Sequence, residues 1–344
     1  MKNTIILFAL LFISSWCVAQ SSGIQNTIVY SLPKTVLCID IEIEKTTHTQ
    51  GILHQYSERS LGIADIVKET GIYHSFKAIN VRTETVPDKN RTYTISWDNP
   101  KSALYNISLT EKGIICGINT IPASEAERKK DYVPHIRKTN EAAPVLPVTN
   151  NIVVSQKMAE EIAKQIYDIR ENRQAILTGD IDFYPADGKS FALLLKEMDK
   201  KEKELTALFT GTKTTETYTR TIKYTPEKPN VNDVLFRLST LKGVVPANDL
   251  SGAPYYINIA ATMPQLVVSP QEKSKKQSNP IIRTIYPASA QIAINDGKTT
   301  HFLEEFLLPQ LGSIVELTEN LLRDNKIKIR IDPETGRLLG IEQN

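Results

Sequence analysis

The chain has 344 residues, with 41 Lys and Arg against 39 Asp and Glu, 41% apolar residues and only 3 Cys. These counts exclude a collagen-like, a disordered and a disulfide-framework protein. The net charge of +2 supplies no overall field for nucleic acid or for an anionic membrane surface. A chain of this length buries enough surface for more than one core, so we expect at least two domains.

The first residues have the pattern of a secretory signal peptide. Lys2 gives a positive start, and nine apolar residues follow at positions 5–13. Nine residues rise only about 14 Å as a helix, against a hydrocarbon core of about 30 Å, so the run cannot span a bilayer. We therefore predict a signal peptide at residues 1–19, cleaved after Ala19, and a protein exported to the periplasm or the outer-membrane periphery.

The three cysteines bear on this exported state. Acylation of Cys17 is the less favoured alternative, because bulky Trp16 stands where a lipoprotein needs a small residue. Cys38 and Cys116 remain after cleavage in an oxidising compartment, and the sequence leaves open whether they form a disulfide. No later stretch approaches the roughly eighteen consecutive apolar residues of a spanning helix, so we expect no transmembrane segment in the mature chain.

Apolar and polar residues alternate along much of residues 26–118, which is the pattern of half-buried strands. The predicted strands are residues 37–43, 76–86, 91–97, 104–109 and 114–118. A looser apolar spacing at residues 57–69 suits a short helix. We interpret residues 20–120 as an N-terminal β domain. Residues 121–154 contain four Pro among mixed charges and are predicted as a Pro-rich linker or strap.

The apolar spacing changes to that of amphipathic helices over residues 155–177 and 190–209. Gly179 and Gly211 follow the two runs as helix stops, which predicts an antiparallel helical hairpin over residues 155–211. Strand patterns then resume and predict a C-terminal β domain over residues 212–344. Its predicted strands are residues 217–224, 234–238, 255–260, 281–286, 291–294, 313–317, 326–331 and 337–341. The predicted fold class is mainly β with an inserted α-helical hairpin (α+β), with two β-sandwich-like domains.

The loop between the two helices concentrates carboxylates and aromatic rings. Its candidate recognition residues are Asp180, Asp182, Tyr184 and Asp187. An EF-hand calcium loop counted from Asp180 would place Tyr184 at a ligand position and a proline where glycine is required, so that motif fails. Helix capping by Asp187 or Ser190 is the structural alternative to a recognition role for this tip.

No pattern of residue types indicates a catalytic, cofactor or metal site. The five histidines lack the spacing of a zinc enzyme. The Gly-x-Ser-x-Gly motif, the phosphate-binding glycine loop and the dinucleotide fingerprint are all missing from the sequence. Glu304 and Glu305 are adjacent, and adjacent residues of a strand face opposite ways, so they cannot flank one glycosidic bond. We predict no catalytic residue, no cofactor and no metal.

Six stretches of the chain occur in the same order in a family of exported proteins from Bacteroidota. They are residues 30–37, 179–190, 208–212, 249–252, 309–312 and 332–338. Over nearly the whole mature chain the sequence resembles the domain of unknown function 4831 family. One departure is Leu311 between Gln310 and Gly312, where family members often have Phe. The resemblance implies a signal-bearing envelope protein, and it implies no particular activity or catalytic residue.

Two classes of function stay open. The leading hypothesis is a non-catalytic binding or assembly module whose partner is another envelope protein or a surface polymer, bound through sheet edges, the helical hairpin or its tip. The alternative is a secreted or periplasmic hydrolase that acts on glycan or peptide through residues far apart in sequence. A deep pocket with two bonded titratable side chains would favour the hydrolase, and an exposed apolar patch would favour the binding module.

Overall fold

A computed structural model describes residues 27–96, 106–120, 155–180, 187–262, 280–318 and 327–343. Most of these residues lie in β-strands, and two long helices form a pair. The predicted fold class, mainly β with an inserted helical hairpin, is therefore confirmed. The predicted signal peptide at residues 1–19 and the predicted linker at residues 121–154 lie outside the described residues.

The elements follow one another in a simple order: strands, a helix pair, and strands again. The strands before the helix pair are β1 (Thr27–Thr49), β2 (Gly71–Ser96), β3 (Ile107–Leu109) and β4 (Ile115–Ile118). The helices are α1 (Ser57–Leu61), α2 (Gln156–Thr178) and α3 (Gly188–Thr210). The later strands are β5 (Thr212–Tyr224), β6 (Asn230–Ser239), β7 (Gly243–Val245), β8 (Ala253–Thr262), β9 (Pro280–Asn295), β10 (Thr300–Thr318), β11 (Ile327–Ile331) and β12 (Leu338–Gln343).

The strands form three antiparallel sheets that mix early and late parts of the chain. Their strand orders are β2-β1-β5, β10-β9-β8-β6-β7 and β12-β11-β4-β3. β5 follows the helix pair yet pairs with β1, and β11 near the C-terminus pairs with β4. The sheets thus do not follow the predicted division at residues 120 and 212, because the chain returns after the hairpin to strands that it made before it.

The first core lies between the three-stranded and the five-stranded sheets. β1 alternates as its sequence predicts, and its inward residues are Leu37, Ile39, Ile41 and Ile43, all fully buried. The facing sheet contributes apolar residues from three neighbouring strands: Tyr255, Ile257, Ile259, Ala288, Ala290, Ile292, Ile294, Phe302 and Leu308. Burial of this apolar area is the main force that holds the two sheets face to face.

A second core shares four long strands with the first. The far ends of β1, β2, β9 and β10 bury Tyr30, Ile95, Ile285 and Leu317 together with residues of the four-stranded sheet. The segments predicted as separate strands at 76–86 and 91–97 therefore form one strand, β2. Its Pro87 lies opposite Pro33, beside a shift of register in the ladder. The pairing continues past these two residues, which have no N–H to donate.

A side-chain amide joins the sheets where the two cores meet. β5 ends with Tyr224 opposite Leu37, so this strand does not reach the nearby Thr35. The amide of Gln310 takes its place: Nε2 donates to the Thr35 carbonyl at 2.9 Å, and the Thr35 N–H donates to Oε1 at 3.0 Å. Arg91 donates to the carbonyls of Pro309 and Gln310 at 3.2 and 3.0 Å. Together these bonds hold the irregular part of β10 against β1 and β2.

Two strand segments lack an alternating pattern and were not predicted. β7 has only three residues, and the first half of β10, residues 300–308, carries apolar side chains on both faces. Phe302 and Leu308 point into the first core, whereas Leu303 and Leu307 are exposed. Without alternation the period of two disappears from the sequence. The predicted helix at residues 57–69 is also shorter, because α1 ends at Leu61.

We predict that Gln310→Ala destabilises the protein by about 2 kcal/mol, because it leaves the buried N–H and C=O of Thr35 without partners. Urea unfolding followed by circular dichroism measures this change. Gln291→Ala is the matched control, since Gln291 is exposed on β9, and it should change stability by less than about 0.5 kcal/mol. Equal, small changes in both variants would show that the amide bridge is not needed.

Candidate functional site

The helical hairpin is built from residues at helical spacing. Ser155 caps α2 by accepting the Met158 N–H at 3.2 Å, and Gly179 ends α2 in the left-handed region at φ 83°. Asp187 then caps α3. In each helix apolar residues recur every three or four positions and so lie on one face. The two apolar faces pack together. The predicted hairpin is confirmed: α2 is shifted by one residue from the predicted run, and α3 is longer than the predicted run by two residues at its start and one at its end.

The hairpin is attached to the rest of the protein at its base. A small core there combines Ala163, Ile166 and Phe209 of the helices with Leu53 and Leu61 from the connection between β1 and β2. Two backbone bonds fix this contact: the N–H groups of residues 53 and 67 donate to the carbonyls of residues 208 and 210, both at 2.8 Å. The last turn of α3 is thus joined to the connection that follows β1.

At the base of the hairpin the backbone of α3 comes too close to residue 51 for that residue to carry a side chain. A Cβ atom on Gly51 would lie 2.4 Å from the carbonyl oxygen of Leu208. Gly211, with φ 78°, turns the chain from α3 into β5. These two glycines therefore allow the helix to end directly against the sheet that β5 then joins.

Ion pairs hold the two helices together beyond the base. Arg170 Nε lies 2.6 Å from Glu202 Oε1, and Arg173 Nη1 lies 2.7 Å from Glu202 Oε2. Arg173 also contacts Asp199 at 2.6 Å. The Glu202 side chain is only 14% exposed, so this carboxylate is shielded between two guanidinium groups. A network of this kind holds its members in place better than an isolated surface pair does.

The distal half of the hairpin exposes apolar side chains. Leu177 near the end of α2 and Leu193 near the start of α3 are about 60% exposed, and Leu194 is 38% exposed. Each helix has 23 residues and is therefore about 34 Å long. The distal leucines lie at the opposite end of these helices from the core at the base.

The predicted tip residues are only partly described. The Asp187 carboxylate accepts the N–H groups of Lys189 and Ser190 at 2.9 and 2.8 Å, and the Ser190 hydroxyl at 2.8 Å. These bonds, led by the one from the Ser190 N–H, hold the pKa of Asp187 below its usual value. Asp180 is exposed, and Asp182 and Tyr184 lie outside the described residues. Asp187 thus caps α3, and a recognition role for the four residues stays a prediction.

Comparison with known proteins agrees with the resemblance in the sequence. A family model described as "Domain of unknown function (DUF4831)" matches residues 26–339. The chain belongs to the DUF4831 family. No curated protein and no solved structure matches it.

In this DUF4831 protein the stretches that carry the resemblance have structural roles. Residues 30–37, 309–312 and 332–338 meet at the junction of the two cores, where Gln310 contacts Thr35 and the Ile285 N–H donates to the Gly336 carbonyl at 2.9 Å. Residues 208–212 form the base of the hairpin. Several of these stretches are therefore explained by close packing of the chain.

The cysteines of this DUF4831 protein lie in the sheets. Cys38 is a free, buried thiol, so it forms no disulfide with Cys116. Its Sγ lies 3.7 Å from Glu84 Oε2, and Glu84 in turn accepts from Lys223 at 2.7 Å. Burial raises the pKa of the Cys38 thiol, so the thiol stays protonated at neutral pH. This geometry disfavours Cys38 as a nucleophile.

A histidine–carboxylate pair is the polar contact that sequence analysis missed. His301 Nε2 lies 3.0 Å from Asp296 Oδ2, and the ring packs against Phe76 and Tyr255. The N–H groups of Thr299 and Lys298, followed by His301, lower the pKa of Asp296 to about 2. The run Asn295-Asp296-Gly297, which has the composition of a tight turn, is the sequence signal that points to it. The Asp296 carboxylate accepts backbone N–H groups of the β9–β10 turn, so the role of the pair is structural.

Two open grooves lie on the described surface. One of about 260 Å³ is lined by Thr262, Tyr286, Pro287, Ser289, Leu307 and Arg337. The other, of about 350 Å³ at the base of α2, is lined by Arg59, Ser60, Gln156, Glu160, Ala163, Lys164 and Tyr167. In the second groove the Tyr167 hydroxyl donates to the Ser60 carbonyl at 3.2 Å. The hydrolase alternative stays a hypothesis.

Within the described ranges no three His, Cys, Asp or Glu side chains converge as they would around a metal ion. Nor does any helix in the described part of the chain have the apolar length needed to cross a bilayer.

We predict that the first turn of α3 loosens as the pH falls below about 4. The folded-state pKa of Asp187 is lowered, so the stabilisation by this cap is complete above the unfolded value and is lost as the pH falls through the folded value. Backbone chemical shifts of residues 188–191 measure the change. Asp187→Asn keeps an acceptor without a titrating group, so these shifts should become independent of pH. Asp180→Asn is the control and should behave like the unmodified protein.

Proposed function

We propose that this DUF4831 protein is an exported, envelope-associated binding module whose helical hairpin contacts another envelope protein. One observation carries the proposal: the hairpin is anchored at its base and leaves Leu177 and Leu194 exposed at its distal end. Exposed apolar side chains grouped on one element are typical of a surface that another molecule covers. The location outside the cytosol rests on the predicted signal peptide.

The construction of the hairpin suits a binding element. The pairs of Arg170 and Arg173 with Glu202 fix the two helices side by side, so their distal surface is organised before any partner arrives. A preformed surface loses less conformational entropy on binding than a flexible one. Helices that present exposed leucines are also a common way to fill an apolar groove on a partner. A surface polymer is the other partner class expected from the sequence, but exposed leucines contribute less to binding a polar polymer than to binding a protein.

We predict that a photo-crosslinking amino acid at position 194 traps one discrete protein partner in living cells. The matched control is position 250, because Leu250 is also exposed, at 80%, but lies in the turn before β8. The adduct should form at position 194 and should be missing at position 250. Mass spectrometry of the adduct identifies the partner. Identical adducts at both positions, or none at position 194, would contradict the proposal.

The location is tested on the same cells. Fractionation should place the protein outside the cytosol, and its N-terminal peptide should begin at Gln20. Deletion of residues 1–19 should hold the protein in the cytosol and abolish the adduct at position 194. A protein that keeps Met1 and stays cytosolic would overturn the envelope assignment, whatever the result of the crosslinking.

A further inference from the structure

The outer face of α3 carries a row of exposed lysines. They are Lys189, Lys196, Lys200 and Lys203. Their spacings of seven, four and three residues place them on one face of a helix that repeats every 3.6 residues. Leu193 lies in the same row and is 59% exposed. The row from position 189 to position 203 is about 21 Å long at 1.5 Å per residue.

These lysines differ from the two arginines of the hairpin. Arg170 and Arg173 face the partner helix and are neutralised by Glu202. By contrast, none of the four lysines forms an ion pair with any residue that the structure describes. Glu197 and Glu204 lie beside the row but do not interrupt it. The charges of the row are therefore available to a ligand.

The two helices also segregate charge between their outer faces. The exposed acidic residues of α2 are Glu160, Glu161, Asp168 and Glu171, and they outnumber its exposed lysines, Lys157 and Lys164. Acidic and basic side chains nearly cancel over the whole chain, which hides this local separation. Attraction to a charged surface depends on local charge within about 10 Å, so the row can act although the net charge is close to zero.

The leucine in the row distinguishes between anionic ligands. A soluble polyanion would contact the lysines and leave Leu193 in water. The surface of a bilayer offers phosphate groups to the lysines and, just beneath them, an apolar layer that Leu193 can enter. A straight basic row with an apolar side chain in it therefore fits a membrane surface better than it fits a polymer.

We propose that the outer face of α3 binds the anionic phospholipid headgroups of a bilayer. In this arrangement α3 lies along the membrane surface, the four lysines contact phosphates, and Leu193 enters the interface. The inference goes beyond the proposed function, because it concerns a lipid ligand of the outer face of α3, whereas the proposed function concerns a protein partner of Leu177 and Leu194. The ion pairs of Arg170 and Arg173 with Glu202 fix α3 against α2, so this face is directed away from α2.

The test is co-sedimentation of the mature full chain with vesicles. Vesicles of phosphatidylglycerol and phosphatidylcholine should bind the protein, and vesicles of phosphatidylcholine alone should not. The variant K196Q/K200Q/K203Q should lower the affinity for the anionic vesicles at least tenfold, and Leu193→Ser several-fold. K213Q/K228Q/K298Q is the matched control, because it removes the same charge at exposed positions outside the hairpin. It should leave the affinity within twofold, and circular dichroism should show that all variants stay folded.

Four results would overturn the inference. Failure to bind anionic vesicles would exclude a membrane ligand, and equal losses in the two triple variants would show that only total charge matters. Binding to dextran sulfate as tight as binding to vesicles, with no effect of Leu193→Ser, would identify a soluble polyanion as the ligand. Light scattering adds a further check: a dimer that K196Q/K200Q/K203Q converts to a monomer would show that the row contacts a second copy of this chain.

Discussion

The attachment of α3 to the connection after β1 is the contact on which the functional account depends. At this point the helix backbone meets the backbone of residues 51–67 directly, and a Cβ on Gly51 would lie 2.4 Å from the Leu208 oxygen. Such an approach leaves no room for the helix to pivot without breaking backbone bonds. The chain then passes through Gly211 straight into β5, which pairs with β1. The orientation of the hairpin is thus tied to the central strand of a sheet.

The shared strands extend this rigidity through the molecule. β1, β2, β9 and β10 contribute to both cores, so the cores cannot move apart without bending the sheets. Hydrogen bonds of Gln310 and Arg91 hold the chain where the ladder between β9 and β10 is irregular. A rigid body with a projecting helix pair suits a protein that holds a partner at a fixed place. Several of the stretches that mark the DUF4831 family in the sequence lie at these structural junctions.

Local patterns predicted the local elements. The alternation at residues 37–43 and the helical spacing at residues 155–177 both gave the correct element type, and Gly179 ends its helix as expected. The pairing of β5 with β1 could not be predicted, because it joins segments more than 160 residues apart and no local pattern encodes it. The first half of β10 was missed because Leu303 and Leu307 make its outer face apolar as well. Strand signals depend on a difference between faces, and here there is little difference.

In the candidate site, too, local features were predictable from the sequence and long-range contacts were not. Capping by Asp187 was predicted from its position before a helical run, whereas the environment of Cys38 depends on Glu84 and Lys223 from neighbouring strands. The spacing of Lys196, Lys200 and Lys203 was visible in the sequence, but net charge concealed it. Only the packing of α3 against α2 shows that this row faces outward while Arg170 and Arg173 face inward.

Native-state hydrogen exchange tests the central claim, that the hairpin is anchored at one end, most directly. Amides of residues 53, 67 and 205–210 should exchange only through opening of the sheets, as slowly as those of β1. Amides of residues 168–176 and 192–200 should exchange faster, through opening of the distal half alone. If all of these amides exchange at the rate of the sheets, the hairpin is covered along its length. Faster exchange at residues 53 and 67 than in the distal half would show that the base does not hold it.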